Sequence, residues 1–276
     1  MPIIPTKSYG VLQQNQCCST LDEAAEQVKN LGYAIIDAGY TADELQSLSK
    51  EFNRTRTNYV NTYGESKLKS LNEFHTIRSP LTHGGAAFLK LALNANLLSI
   101  VKELIAGKFI LNQQNGVINP PKEGYNQGAW HRDLPYQHFV SSQPLAINAL
   151  FCVDDFTFEN GATFVLPSSH KYEVFPSVSY IQRNAIQVAA KAGSFILLDC
   201  MVFHAGGFNN TKEERRAVNH VYTIPFFKQQ INIPKNIAHF EKLSAEAKDL
   251  LGLNYIEPAS VADYLDSRNS KDTDPT

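Results

Sequence analysis

Two periods divide the chain. From about residue 20 to 107, apolar side chains recur at the spacing of one helix face. Ser19 or Thr20 caps the first such stretch, Asp22 and Glu23 suit its positive end, and Gly32 stops it. Tyr33 to Ile36 follows as a short strand. Thr41, with Glu44 three residues on, forms a capping box and opens a second helix. Leu45, Leu48 and Phe52 carry that helix to about Thr55, and Asn53 to Lys69 is polar enough to be expected as loop. Phe88 to Ala106 is expected to be helical with one or two breaks, with Gly107 as its stop signal.

The texture changes at Phe109. From there to Phe227, short β-rich runs are separated by Gly, Pro, Asn and Ser clusters. The runs are Phe109 to Gln114, Gly128 to Arg132, Leu145 to Val153, Thr163 to Leu166, Ala185 to Val188, Ser194 to Leu198 and Arg216 to Phe226. No helical rhythm intervenes, which argues for a sandwich or barrel closed by antiparallel pairing and against a doubly wound parallel sheet. Ile237 to Leu251 is expected as one amphipathic helix, and the charged tail from about 266 to 276 as disordered. The pattern predicts one mainly β domain over residues 1–276, with flanking helices. A helical N-terminal buttress spans about 20–107, the β core about 108–227, and a C-terminal helix about 237–251.

Composition narrows the function classes. The 276 residues carry 25 Lys and Arg against 27 Asp and Glu, a formal charge of −2, without the basic excess of a nucleic-acid binder. A hydrophobic fraction of 43% supports a sizeable core. The four cysteines show no metal or disulfide spacing, so free thiols in a reducing compartment are expected. Neither a secretory signal nor an apolar run of membrane-spanning length is visible, and a cytoplasmic protein is the expectation.

Trp130-His131-Arg132-Asp133 is the strongest chemical signal. In extended chain, residues two apart share a face, so His131 and Asp133 can offer a nitrogen and an oxygen to one metal ion while Arg132 points away. His204 ends a later apolar run and is followed by Ala205-Gly206-Gly207, which leaves room for a ligand. Two histidines and one carboxylate with open positions form the facial set of non-haem Fe(II) oxygenases. Arg215, eleven residues after His204, can grip the far end of a dicarboxylate bidentately.

These blocks resemble the phytanoyl-CoA dioxygenase family of Fe(II)- and 2-oxoglutarate-dependent oxygenases. The likeness rests on His131 with Asp133, on Val153-Asp154-Asp155 with Glu159-Asn160-Gly161-Ala162, on Val165-Leu166-Pro167-Ser168-Ser169-His170-Lys171, and on His204 with Asn209, Thr211 and Arg215. It runs from about residue 20 to 227 and has two departures. Ser168 stands where the family usually has Gly, and Ala205-Gly206 where relatives commonly have Gly-Ser, removing a hydroxyl that would contact the co-substrate.

The resemblance implies a double-stranded β-helix, or jelly-roll, core. It implies that His131, Asp133 and His204 bind Fe(II), and that Arg215 rather than Arg216 binds the distal carboxylate of 2-oxoglutarate. Gln114, or Gln113 if the register slips, and Asn148 are further candidate co-substrate contacts. Trp130, Gln127, Tyr136, Asn219, His75 and Arg78 are candidate substrate contacts. His138, His170, His220 and His239 are expected to be structural or surface, and Asp154 and Asp155 to shape a turn.

The activity implied is hydroxylation with O2 as oxidant, releasing succinate and CO2. Asp133 favours it over halogenation, where a small residue replaces this carboxylate. Desaturation, cyclisation or halogenation by the same oxidant, a jelly-roll metalloprotein using its metal as a Lewis acid, and a non-catalytic binding module are the alternatives. The polar side chains of residues 53–83, 136–144 and the region after Phe227, expected to shape the pocket, suit a small polar metabolite better than a long acyl chain. Neither a nucleic-acid nor a membrane partner is expected, and the sequence leaves the oligomeric state open.

Overall fold

The computed structural model describes residues 3–83, 86–134, 139–238 and 240–269. Residues 3–19 carry no helix or strand. Helix α1 (Thr20–Leu31) is capped by the Ser19 side chain and closed by Gly32 at φ +85°, a left-handed conformation that glycine adopts without strain. It feeds strand β1 (Tyr33–Asp37). Thr41 and Glu44 form both halves of the expected capping box.

The helix they open, α2 (Ala42–Tyr63), runs well past Thr55, and α3 (Glu65–Ser70) follows after Gly64, so the loop expected over residues 53–69 is helical. Polarity misled the reading there. Phe52, Thr55 and Tyr59 continue the buried stripe at helical spacing, and only Phe52 is a strong apolar signal. Strand β2 (Thr76–Arg78) comes next. The expected helical stretch divides into α4 (Ala86–Ala92) and α5 (Ala95–Leu104), the second capped by Asn94.

The β core follows in order: β3 (Ile110–Asn119), β4 (Ala146–Cys152), β5 (Thr163–Val165), the short helix α6 (Val178–Asn184), β6 (Ile186–Val188), β7 (Ser194–Asp199), β8 (His204–Ala205) and β9 (Arg215–Thr223). Gly128 to Arg132 is not a strand. Only His131 pairs, in a single antiparallel bridge with His204. The larger sheet has the order β1-β7-β4-β9-β3-β2 and the smaller β6-β5-β8. All pairings are antiparallel, and the His131 bridge extends the smaller sheet beyond β8. Two facing sheets in this order make a jelly roll, with β1 and β2 added at the edges of the larger sheet.

The larger sheet separates two cores. Ile36, Ile118, Ala149, Phe151, Leu197 and Tyr222 face the helices, packing with Val28, Phe52, Phe88 and Leu97. Leu198, Ile196 and Ala217 face the smaller sheet and meet Val165 and Val188. Period two along each strand produces this division.

The chain ends in short pieces: α7 (Ile233–Asn236), α8 (Ala245–Leu250) and α9 (Val261–Asn269). The single helix expected over 237–251 is therefore only α8, which begins at its own cap, Ser244. Residues 266–269 of the expected tail close α9, and residues 270–276 lie outside the described residues. No helix among the described residues is long and apolar enough to cross a membrane.

Candidate metal centre

His131 and His204 face each other across the bridge, with N–H···O bonds of 3.0 and 3.1 Å. The Asp133 amide donates to Cys200 O at 3.0 Å, which holds the next inward residue against the turn before β8. One ligand atom from each of His131, Asp133 and His204 lies within 4.8 Å of the others. Asp133 Oδ1 is 3.7 Å from His204 Nε2 and 4.0 Å from His131 Nε2.

Backbone carbonyls orient both rings. His131 Nδ1 is 2.8 Å from Ala129 O, and His204 Nδ1 is 3.1 Å from Val202 O. A protonated Nδ1 donating to each carbonyl leaves the Nε2 lone pair for a metal. Burial pushes the His204 pKa down, against the pull of the Asp133 carboxylate, and so favours the neutral, ligating form. Asn148 Nδ2 donates to Asp133 Oδ2 at 2.7 Å, leaving Oδ1 turned to the histidines. Asn148 thus reaches the centre through the carboxylate.

The neighbours of the ligands serve elsewhere. Arg132 donates to Met201 O at 2.7 Å and to Ser169 O at 3.1 Å, and its guanidinium lies 4.0 Å over the Phe203 ring. It ties the ligand segment to the turn before β8. Trp130 packs on Phe175, with ring centroids 6.2 Å apart, and does not line the metal cavity.

That cavity encloses about 40 Å³. Its polar lining is His131, Asp133, His204, Asn148, Asn219, Gln127, Thr163, Tyr125 and Arg215, and Val117, Leu150, Leu198 and Ala217 form apolar walls. Arg215 begins β9 and is 2% exposed. Its Nη1 donates to Gly161 O, its Nη2 lies 3.4 Å from Tyr125 Oη, and the guanidinium sits 3.9 Å from the Phe156 ring centroid.

Arg215 Nε has no partner, and no carboxylate pairs with this guanidinium among the described residues. Burial lowers its pKa and raises that of the Tyr125 hydroxyl. Arginine nevertheless stays charged in proteins, so a buried cation stands without an anion. Arg216 shows the opposite parity, forming a bidentate pair with Asp154 at 2.6 and 2.9 Å. Asp155 accepts from the Ala192 amide.

Gln114 does not reach this centre. Its Oε1 accepts from the Leu81 amide at 3.0 Å, and its Nε2 donates to Phe88 O and meets His220 Nε2, both at 2.8 Å, on the helical side of the sheet. A β-bulge between Leu111 and Gln113 sets the register so that Gln113, Asn115 and Val117 face the cavity side. Gln113 Oε1 accepts from Asn115 Nδ2 at 3.2 Å.

Gln127 and Asn219 line the cavity, whereas His75 and Arg78 do not. His75 packs on Phe74, and Arg78 pairs with Glu73. Tyr136 and His138 lie outside the described residues, as does His239. His170 contacts Lys29 O and His220 is buried beside Gln114, as befits structural histidines.

Tyr125 is the functional candidate that the sequence did not disclose. It comes from an irregular segment, and its position depends on Gly206. A Cβ at Gly206 would lie 1.8 Å from Tyr125 Oη. The missing side chain there admits a hydroxyl from another element, beside Arg215. Four amide oxygens on this face of the larger sheet, Asn115 Oδ1, Asn119 Oδ1, Asn148 Oδ1 and Asn219 Oδ1, have no partner in the protein. Leaving such a buried acceptor unmade costs about 1–3 kcal/mol.

Known proteins share this architecture. Residues 28–217 match the family model described as phytanoyl-CoA dioxygenase (PhyH). The chain is 30% identical over 241 residues to the uncharacterized protein Rv1501 of Mycobacterium tuberculosis, covering 85% of this chain and 87% of that one. It is 29% identical over 174 residues to dioxygenase af480 of Aspergillus fumigatus, covering 59% and 54%. Among solved structures, apo EctD from S. alaskensis superposes with a TM-score of 0.62 at 20% identity, covering 80% of this chain and 85% of that one. The non-haem alpha-ketoglutarate-dependent epimerase SnoN from nogalamycin biosynthesis gives 0.58 at 18%, covering 74% and 81%. On the family match over its helical buttress and β core, this chain belongs to the phytanoyl-CoA dioxygenase family.

Proposed function

We propose that the protein is an Fe(II)- and 2-oxoglutarate-dependent dioxygenase that hydroxylates a C–H bond of a small polar metabolite. The observation that carries the reading is the pairing of two features in one cavity. Two imidazole nitrogens and a carboxylate oxygen converge, and a buried guanidinium without an anion waits behind them. The donor set fits Fe(II) with positions left open, and Arg215 fits the far carboxylate of a dicarboxylate co-substrate. Bound iron with 2-oxoglutarate would supply the oxidising power, with the net conversion of R–H, O2 and 2-oxoglutarate to R–OH, succinate and CO2.

Protein groups supply position and surroundings. His131, Asp133 and His204 would hold the metal. Asn148 keeps one Asp133 oxygen occupied and the other aimed at the histidines. Arg215 and Tyr125 would orient the dicarboxylate, and Leu150, Leu198 and Ala217, which line the cavity, would keep water from its chain. The Asp133 carboxylate fills the position that a halide needs in related halogenases, which favours hydroxylation. Among proteins of similar fold, EctD was solved with 2-oxoglutarate and 5-hydroxyectoine.

Turnover under ¹⁸O2 tests this. A panel of amino acids, sugars and amino alcohols is screened for succinate release, and the product is weighed. Incorporation of one ¹⁸O atom per succinate is expected. A product with no added oxygen would overturn hydroxylation, and conversion without 2-oxoglutarate consumption would favour Lewis-acid chemistry.

A further inference from the structure

Three of these unpartnered amide oxygens, on Asn115, Asn148 and Asn219, lie close together. Asn115 on β3 is directly opposite Asn219 on β9, and Asn219 is opposite Leu150 on β4. Asn148 lies two residues along β4 from Leu150, on the same face. Directly opposed side chains such as Asn115 and Asn219 stand about 5 Å apart at Cβ, and Asn148, opposite Val221, is a diagonal neighbour of Asn219 at about 7–8 Å, so the three carboxamides form one strip across β3, β9 and β4. Asn115 and Asn148 are 5% and 2% exposed.

The NH2 groups of Asn115 and Asn148 have partners that fix which end is free. Asn148 Nδ2 is held by Asp133 Oδ2 and Asn115 Nδ2 by Gln113 Oε1, so the carbonyl ends are the unsatisfied ones. The strip therefore presents acceptors and begins beside a metal ligand. An acceptor is satisfied only by a donor. A keto acid dianion has none, so the co-substrate cannot fill the strip, and neither can a hydrocarbon chain.

We infer that Asn115, Asn148 and Asn219 form the substrate-recognition strip of this centre, and that the substrate is a small molecule presenting at least two hydroxyl or amino groups to their amide oxygens. This rests on the oxygenase reading above and adds the chemical class of what that site takes. Asn115 is a specificity residue that neither motif nor spacing picks out. It becomes visible only through the register that sets it against Asn219.

The test uses glycerol as the smallest donor-bearing probe and 1,2,3-trimethoxypropane as the same skeleton without donors. Each is titrated into the anaerobic protein loaded with Fe(II) and 2-oxoglutarate, and the visible band is followed. Saturable perturbation by glycerol is expected, with none from the ether. The half-saturating glycerol concentration should rise at least tenfold in Asn115→Leu and Asn219→Leu. Equal responses to the two probes, no response to glycerol, or unchanged half-saturation in both variants would overturn the inference.

A second readout needs no metal. Acceptors left open for a ligand do not stabilise the resting protein, so the metal-free Asn219→Leu variant should melt at or above the parent temperature. A fall of several degrees would make Asn219 structural and overturn its place in the strip. Absence of the band itself counts against the oxygenase reading, and the melting comparison then still decides this one.

Discussion

At the residue scale, two contacts determine how the centre works. The Asn148 amide ties one oxygen of Asp133 and leaves the other to the metal. Asn148→Leu removes that tie and leaves a buried carboxylate oxygen without its donor. Fe(II) affinity is expected to fall by about tenfold or more, the range typical of lost partners to metal ligands. Competitive titration against a colorimetric chelator measures it, and unchanged affinity would refute the assignment. The second contact is the space at Gly206. Gly206→Ala drives a methyl group into Tyr125 Oη and displaces the hydroxyl from Arg215. The KM for 2-oxoglutarate should rise about tenfold, the equivalent of roughly 1.4 kcal/mol, with kcat little changed. Uncoupled succinate release against 2-oxoglutarate concentration reads this without knowledge of the substrate.

At the element scale, the strands explain what the sequence disclosed and what it concealed. His131, Asp133, His204 and Arg215 were legible because alternation, strand ends and small following residues mark them locally. The opposite faces of Arg215 and Arg216 followed from period two alone, and the cavity and the Asp154 pair bear that alternation out. Gln114 was expected at the centre from the resemblance alone, with Gln113 as the alternative; the strand turns Gln114 to the helical side and Gln113 to the other face. Helix α2 was cut short because Thr55 and Tyr59 are buried without being strongly apolar. Ser168 shows the same limit from the other side. It adopts φ +61° where the family usually places Gly, and its Oγ donates to Asn30 O at 2.9 Å. The corrected place of Gln114 can be tested. Gln114→Leu strips partners from the Leu81 amide, Phe88 O and His220, and about 1–3 kcal/mol of stability should be lost. The KM for 2-oxoglutarate should not move; a rise in KM with stability intact would return Gln114 to the centre.

At the scale of the whole molecule, buried titratable groups link stability to pH. Burial holds His220 at about 4, below the ordinary imidazole value, and also lowers His75, His83 and His170. Between about pH 6.5 and 4 the unfolded chain therefore binds protons that folded His220 refuses, and stability falls as pH falls. At about 1.4 kcal/mol per unit, His220 alone accounts for roughly 3 kcal/mol over that window. Asp199 opposes it. Burial raises its carboxyl to about 6, so the folded state keeps a proton that the unfolded chain releases near 4, and stability there rises as pH falls. With His204 also lowered in the metal-free protein, five histidines against one carboxyl leave a net acid loss. Urea unfolding of the metal-free protein should show lower stability at pH 4.5 than at pH 7. Asp199→Asn, which keeps the acceptor for the Met201 amide, should steepen the fall. A stability that rises on acidification would contradict this account of the buried groups.

The central claim is that one cavity holds both the metal triad and the anion-seeking Arg215. Anaerobic addition of 2-oxoglutarate to the Fe(II)-loaded protein tests it most directly, because chelation by the keto acid gives a weak visible charge-transfer band. The account predicts that the band appears, that His131→Ala abolishes it, and that Arg215→Ala raises the 2-oxoglutarate concentration needed by at least tenfold. A folded, iron-loaded protein that gives no band, or an Arg215→Ala variant that titrates like the parent, would contradict it.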